Sequence, residues 1–366
     1  MITFKQYLLL EGGNVQIDGT EAERIDLTKH ERKVVVAKVD AGLAAINKAF
    51  QKQMGKPIWN AELFASKAFL SGSAFHFFNG KIDDKTFTKV KSSVGDIDTQ
   101  VDKELDAQLK EFLTQNKGKT FGPFTLVGFK TSAGQHISLW HLDEPSINIQ
   151  VDLEMVDFNE KGHPTEWSNF SHSSAWEDMT KGVKGVAHKY LLRALEAPSV
   201  KDVVIKAKTA RGTDKVVKSS THAFSVTHGR RQKLKPVMDE NGKQVMVDKM
   251  PAYHEMSTSE SKGTTSLVEI FTAYFGHAPT AAEVKKMGSF TGLIDLIKAN
   301  LDKIDWQKIT DGFGNTLWGG GAQGLYRGDP DKDREEKDSM FKVLLKDLGT
   351  KDTFANQREA FYKAYK

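Results

Sequence analysis

Asp96-Ile97-Asp98 sets two carboxylates at positions i and i+2. In an extended strand such residues point to the same side. The pair then stands side by side, while Ile97 turns to the opposite face and enters a core. Two like charges at that separation repel, and the arrangement is costly unless a cation lies between them. A hard divalent ion with oxygen ligands, Mg2+ or Mn2+, suits such a pair. A third acid lies in the segment from Ile147 to Phe158. There Ile147, Ile149, Val151, Leu153 and Met155 alternate with Asn148, Gln150, Asp152 and Glu154. That alternation predicts one core face and one polar face. If this strand neighbours the first, Asp96, Asp98 and Asp152 are the candidate catalytic and metal-binding residues, able to hold two ions roughly 4 Å apart. Gln100 and Asp102 share the Asp96 face, so a merely solvated acidic strand edge is the competing reading.

Gly72-Ser73 offers the other half of a phosphate site. Ala68 to Phe78 reads as a short apolar strand, a small-residue turn and a further apolar run in a helix. A glycine there lets backbone approach a phosphate closely, and the following helix presents N–H donors with a partial positive charge. The Ser73 hydroxyl adds one more donor. Phosphoryl transfer depends on positioning and charge neutralisation rather than covalent help, and these groups supply both.

The elements that must position these groups follow from periodicity. Leu27 to Met54 predicts a helix, as do Asn60 to about Lys67, Lys103 to Gln115 and about Trp176 to Leu195. Asp96–Val101, Phe124–Thr131, His136–His141 and Ile147–Phe158 predict strands, the second and third joined by a hairpin loop at 132–135. From Lys201 to Tyr253 the pattern is that of strands, with Asp239-Glu-Asn-Gly242 as a turn signal. From Ser266 onward it is helical, interrupted by the glycine cluster at 319–324 and followed by a charged run from Asp329 to Asp338. The 366 residues, 39% hydrophobic and 27% charged, are enough for two or three domains with real cores. Cysteine is absent, which excludes disulfides, thiol catalysis and Cys-based zinc sites. No run approaches the ~18–20 apolar residues that span a bilayer, so no membrane partner is expected.

The order of these motifs resembles the DNA polymerase β-type nucleotidyltransferase superfamily: Gly-Ser turn, helix, Asp-x-Asp on a strand, hairpin, third Asp on a strand. Lys91-Ser-Ser-Val-Gly-Asp96-Ile-Asp98 is similar to the basic-x-Ser-x-x-Asp-x-Asp spelling of its small bacterial members. The resemblance covers about Ala68 to Phe158. It implies a polymerase β-like nucleotidyltransferase core of mixed sheet and flanking helices; with the basic strand-containing insertion and the helical C-terminal region read from the pattern, the expected fold class is α+β. The corresponding expected boundaries are 1–56 (leader and helix), 57–198 (core), 199–262 (basic β-hairpin module) and 263–366 (helical domain). It also implies transfer of an NMP from an NTP such as ATP to a hydroxyl, with release of pyrophosphate. The acceptor would be a nucleic acid, tRNA-like, or a protein. Gly72, Ser73, Lys184 and Lys189 would bind the nucleotide. The spacer between Gly-Ser and Asp-x-Asp is longer than the family's, so 80–88 is expected to be an inserted loop.

Residues 181–250 carry 16 Lys/Arg against 6 Asp/Glu, a local charge of +10 within a chain of net charge +4. The densest stretch is Arg230-Arg231-Gln-Lys233-Leu-Lys235. Such a region suits a nucleic-acid acceptor through phosphate contacts, while an ordinary solvated face is the alternative. Lys181, Lys184, Lys189 and Arg193 lie at its start. His76 reads as packed or peripheral, and His136 and His141 lack metal spacing. His163, Trp167, His172 and Trp176 fall in a Ser-rich stretch expected to be a loop. The N-terminus, with Leu9-Leu10-Glu11 before Gly12, resembles the capsid-targeting leader of internal proteins of large tailed phages, cleaved after Leu-x-Glu. A first helix packing Phe4, Tyr7, Leu8 and Leu10 is the other reading. Host cytoplasm, or packaging in a bacteriophage capsid, is the expected location. The rival to an enzyme is a non-catalytic nucleic-acid-binding or virion-packaged protein on the same fold.

Overall fold

The computed structural model describes residues 15–132, 134–183, 187–196, 200–208, 213–222, 224–227, 230–254, 264–301, 305–319 and 330–364. The leader-like segment, Lys184, residues 320–324 of the glycine cluster and Asp329 lie outside them. The chain divides into two compact units, the described parts of Met1–Val186 with Gly324–Glu336, and of Ala187–Gln323 with Lys337–Lys366. Both units contain helix and strand, and the C-terminal region is helical.

The first unit is built on a five-stranded mixed sheet. Its strands are β1 (Asp96–Asp102), β2 (Thr120–Phe121), β3 (Phe124–Ser132), β4 (Gln135–Leu142) and β5 (Ile147–Val156), in the order β1-β5-β4-β3-β2. The β1–β5 pair is parallel and the others antiparallel. The long helix α1 (Arg32–Met54) buries Val35, Val39, Leu43, Ile46 and Phe50, the three- and four-residue spacing of one helical stripe. It starts later than Leu27. Ile25–Asp26 instead pairs with Ser93–Val94, and the Asp26 carboxylate accepts bonds from the Thr28 amide and hydroxyl at 2.9 and 2.6 Å. α1 packs with Trp59, Phe69, Phe112, Ile97, Val151 and Trp140 in one continuous core. On the opposite side of the sheet Val15, Ile17 and Ala22 cover Ile137 and Leu139.

Helix α2 (Ala61–Ser66) is capped by Asn60, whose side chain accepts from the Leu63 amide at 2.8 Å. The predicted strand before Gly72 is reduced to a bridge between Leu70 and Thr99, and α3 (Gly72–Phe78) begins at the glycine itself. The spacer at 80–88 is not a plain loop, because α4 (Asp84–Val90) lies in it. Phe87, fully buried, joins the main core, and the Asp83 side chain caps the helix through the Thr86 amide. An apolar anchor and an N-cap turned a segment read as insertion into a packed element.

Buried Arg32 fastens α1 to this region. Its guanidinium donates to the carbonyls of His76, Phe77, Asn79 and Ile82 at 2.6–2.9 Å and lies 4.4 Å from the centre of the Phe87 ring. α5 (Asp106–Asn116) follows β1 after a 3-10 turn. The Ser-rich stretch expected to be a loop carries α6 (Glu166–His172) and α7 (Trp176–Thr180). Trp167 is buried and Trp176 stacks on Phe87; the apolar residues outweighed the serines, and Thr165 supplied an N-cap.

The second unit begins with α8 (Ala187–Ala194) and a four-stranded sheet, β6 (Val200–Lys208), β7 (Asp214–His222), β8 (Met246–Val247) and β9 (Met250–His254), ordered β7-β6-β9-β8. Its β6–β9 pair is parallel, so the module is more than a set of hairpins. The Asp239–Gly242 turn is present, with the Asp239 carboxylate accepting from the amides of Asn241 and Lys243. α9 (Leu267–Phe275), α10 (Ala281–Met287), α11 (Phe290–Asn300) and α12 (Trp306–Trp318) start at side-chain caps from Ser266, Thr280, Ser289 and Asp305. The last described elements are α13 (Pro330–Leu348), which takes in the charged run after Asp329, and α14 (Ala355–Ala364).

Candidate metal centre

β1 and β5 are neighbours, and their register puts Asp98 directly beside Asp152. The cause is hydrophobic. Ile97 and Val101 on β1, with Ile149, Val151 and Leu153 on β5, enter the core, and strand alternation then sends the intervening acids to the other face. One carboxylate oxygen from each of Asp96, Asp98 and Asp152 lies within 4.8 Å of the others. Asp152 is 7% exposed; Asp96 and Asp98 are half-buried. Among the described residues this is the one group of three or more His, Asp or Glu side chains so arranged. The donors are all hard oxygens, which fits Mg2+ or Mn2+ rather than a soft metal.

The electrostatics agree with the geometry. Burial, with Asp96 next to it and then Glu154 and Asp152, holds the Asp98 carboxyl well above the ordinary carboxylate range, while Lys91 opposes the shift. A cation among these groups would favour the ionised forms that their mutual repulsion disfavours. Asp152 is held from its own strand. The Gln150 amide donates to both of its carboxylate oxygens, at 2.9 and 3.0 Å. Its backbone carbonyl accepts the Thr99 hydroxyl of β1 at 2.8 Å, tying the two strands at this point.

The Gly72 bend lies directly against these acids. Residues 69–71 run along β1, with the Ser71 amide donating to the Asp98 carbonyl and the Gln100 amide to the Phe69 carbonyl. Gly72 has φ +54°, and a Cβ there would meet Asp98 Oδ2 at 2.6 Å. Only glycine permits this approach without displacing the carboxylate. Lys91 donates to the Ser73 hydroxyl from across the bend, so a cation and a hydroxyl sit together beside the acids. Glu154 extends the polar row. It accepts the Ser71 hydroxyl at 3.1 Å, and His172 Nε2 lies 3.8 Å from the same oxygen.

The structure thus brings Asp96, Asp98, Asp152, Gly72 and Ser73 together. Lys189 belongs to the second unit, Lys184 lies outside the described residues, and Lys181 is exposed at the end of α7. His136 is buried, 2.8 Å from the Asp106 carboxylate, away from any metal grouping. Lys91, Gln150 and Glu154 are neighbours of the acids that sequence reasoning did not select. The alternation that marked Asp152 also put Gln150 and Glu154 on its face. In the sequence Lys91 is only the basic residue that opens the motif; its place beside the acids depends on how α4 delivers the chain into β1. No protein-family model matches this chain, and no curated protein matches its sequence. Among the described residues no helix is long and apolar enough to cross a membrane.

Proposed function

We propose that this protein is a metal-dependent nucleotidyltransferase with a polymerase β-like core, transferring an NMP from an NTP to a hydroxyl. The observation that carries the reading is the convergence of three carboxylates from two adjacent strands against a glycine bend where a side chain would press on Asp98. Asp96 and Asp98 would hold both divalent ions, and Asp152 one of them. Bound there, such ions neutralise charge on the attacking and leaving oxygens. The chain's own groups do the positioning. Gln150 fixes the Asp152 carboxylate, which accepts the proton of the acceptor hydroxyl. The Gly72 bend, the Ser73 hydroxyl and the Lys91 ammonium receive the triphosphate. A bond forms from the acceptor oxygen to the α-phosphorus, the bond from that phosphorus to the β-bridging oxygen breaks, and pyrophosphate leaves. The acceptor is a nucleic-acid end or a protein side chain.

The test is incubation with each labelled NTP, Mg2+ or Mn2+, and RNA or protein extract. Label should enter one acceptor class. Asp98→Ala should lower incorporation by on the order of 10²–10³-fold or more, with an unchanged circular dichroism spectrum. Full activity in that folded variant would reject the assignment.

A further inference from the structure

The second unit carries a feature that the transfer site does not use. In the four-stranded sheet, Lys206 of β6 is the register partner of His254 on β9. On the other side of His254 runs the segment 235–238, joined to β9 by the Pro236–Tyr253 bridge. The His254 amide donates to the Lys235 carbonyl at 3.0 Å, and the Val237 amide to the Ala252 carbonyl at 3.0 Å. That bonding pattern sets Lys235 opposite His254. Register partners project to the same face of a sheet, so Lys206, His254 and Lys235 form one row across three adjacent strands, at the inter-strand spacing of about 4.8 Å. Val216 of β7 extends the row beyond Lys206.

Each of these four side chains is exposed. Lys218, on the same face of β7, is paired with Asp248 at 2.9 Å. Lys206 and Lys235 form no ion pair with any described residue. The surrounding sequence is basic, with 16 Lys/Arg against 6 Asp/Glu over 181–250. An unneutralised pair of ammonium groups flanking an exposed imidazole suits a single nucleic-acid strand, phosphates on the cations and a base on the ring.

We propose that Lys206, His254 and Lys235 form a docking row for single-stranded nucleic acid. Lys206 and Lys235 contact phosphates, and His254 offers its ring to a base. The row would hold the acceptor strand of the reaction proposed above. Binding itself stands on the second unit alone and requires none of that chemistry.

The test uses the full chain with EDTA and no NTP, so its outcome is independent of transfer activity. Fluorescence anisotropy follows a labelled 15-nucleotide single strand, RNA or DNA, and a duplex of the same length, across a salt series. The wild type should bind the single strand more tightly than the duplex. Lys206→Gln/Lys235→Gln should weaken single-strand binding about 10-fold or more and flatten the salt slope by about 1.4, at roughly 0.7 per lost phosphate contact. His254→Ala should weaken the single strand about 5-fold and leave the duplex unchanged. Lys85→Gln/Lys89→Gln removes the same charge from exposed positions of α4 in the first unit and should bind as wild type. The proposal is overturned if the wild type fails to bind at low salt, or if the two double variants behave alike. It is equally overturned if poly-glutamate competes as well as unlabelled single strand, which would indicate an acidic-protein surface.

Discussion

Gly72 and Asp98 constrain each other. A Cβ on residue 72 would stand 2.6 Å from an Asp98 carboxylate oxygen, on a backbone with φ +54°. Gly72→Ala therefore carries two costs. The left-handed conformation costs about 1–2 kcal/mol for an L-residue, and the methyl pushes aside a carboxylate of the metal set. The expected result is a lowered thermal midpoint together with a loss of nucleotide incorporation of about 100-fold or more, checked by melting curves and the labelled-NTP assay. A variant with wild-type activity would show that the bend does not serve the acids. Asp152 illustrates the same economy of position: its carboxylate is buried, and the Gln150 amide donates to both of its oxygens.

At the scale of elements, α3 is only seven residues long and depends on what surrounds it. The Arg32 guanidinium takes its last carbonyls, and Phe77 and the α4 residue Phe87 bury its inner face. His76 turns the other way, its Nε2 bonded to the Ser174 carbonyl and its ring 5.7 Å from that of Trp176. Burial pushes the His76 pKa below its usual 6.5; the Ser174 carbonyl and Glu177 oppose that shift, while Lys91 and Arg32 reinforce it. A base depressed in the folded state takes its proton first in the unfolded chain. Stability is therefore complete above the unfolded value near 6.5 and is lost as pH falls below it toward the folded value. The thermal midpoint should drop between pH 7 and pH 5, and His76→Gln should flatten that drop while leaving the pH 8 spectrum unchanged. An equally steep profile in the variant would assign the acid sensitivity to other groups.

At the scale of the whole molecule, the two units carry separate cores and separate chemistries: acids on a polar sheet face in one, an exposed basic row in the other. A ligand that binds only the native state adds stability that grows with the logarithm of its concentration over its dissociation constant, about 2.7 kcal/mol at a hundredfold excess. Mg2+ or Mn2+ should accordingly slow amide hydrogen exchange in β1 and β5 relative to EDTA, and leave β6 and β9 unaffected. Asp152→Asn should abolish the protection. Protection spread equally over both sheets, or none at all, would rule out a local metal site on these acids.

Much of the site was legible in sequence because strand alternation has a strict period of two. Ile97 between two aspartates, and Val151 beside Asp152, fixed which way each acid had to point once the apolar residues were buried. Asn60 and Ser266 likewise stood where helix starts were read, and each caps its helix by a local hydrogen bond. Other features were invisible for a physical reason: they depend on contacts distant in the chain. Phe87 and Asp83 made a helix of a stretch that read as insertion, because the core had room for one more aromatic ring beside Arg32. Trp167 and Trp176 did the same for a serine-rich stretch. That β1 and β5 lie side by side and parallel, with Asp98 level with Asp152, is written in no local pattern. Sequence alone determined the faces, and tertiary pairing decided which faces meet, since register is set by the burial of whole strands and not by the acids they carry.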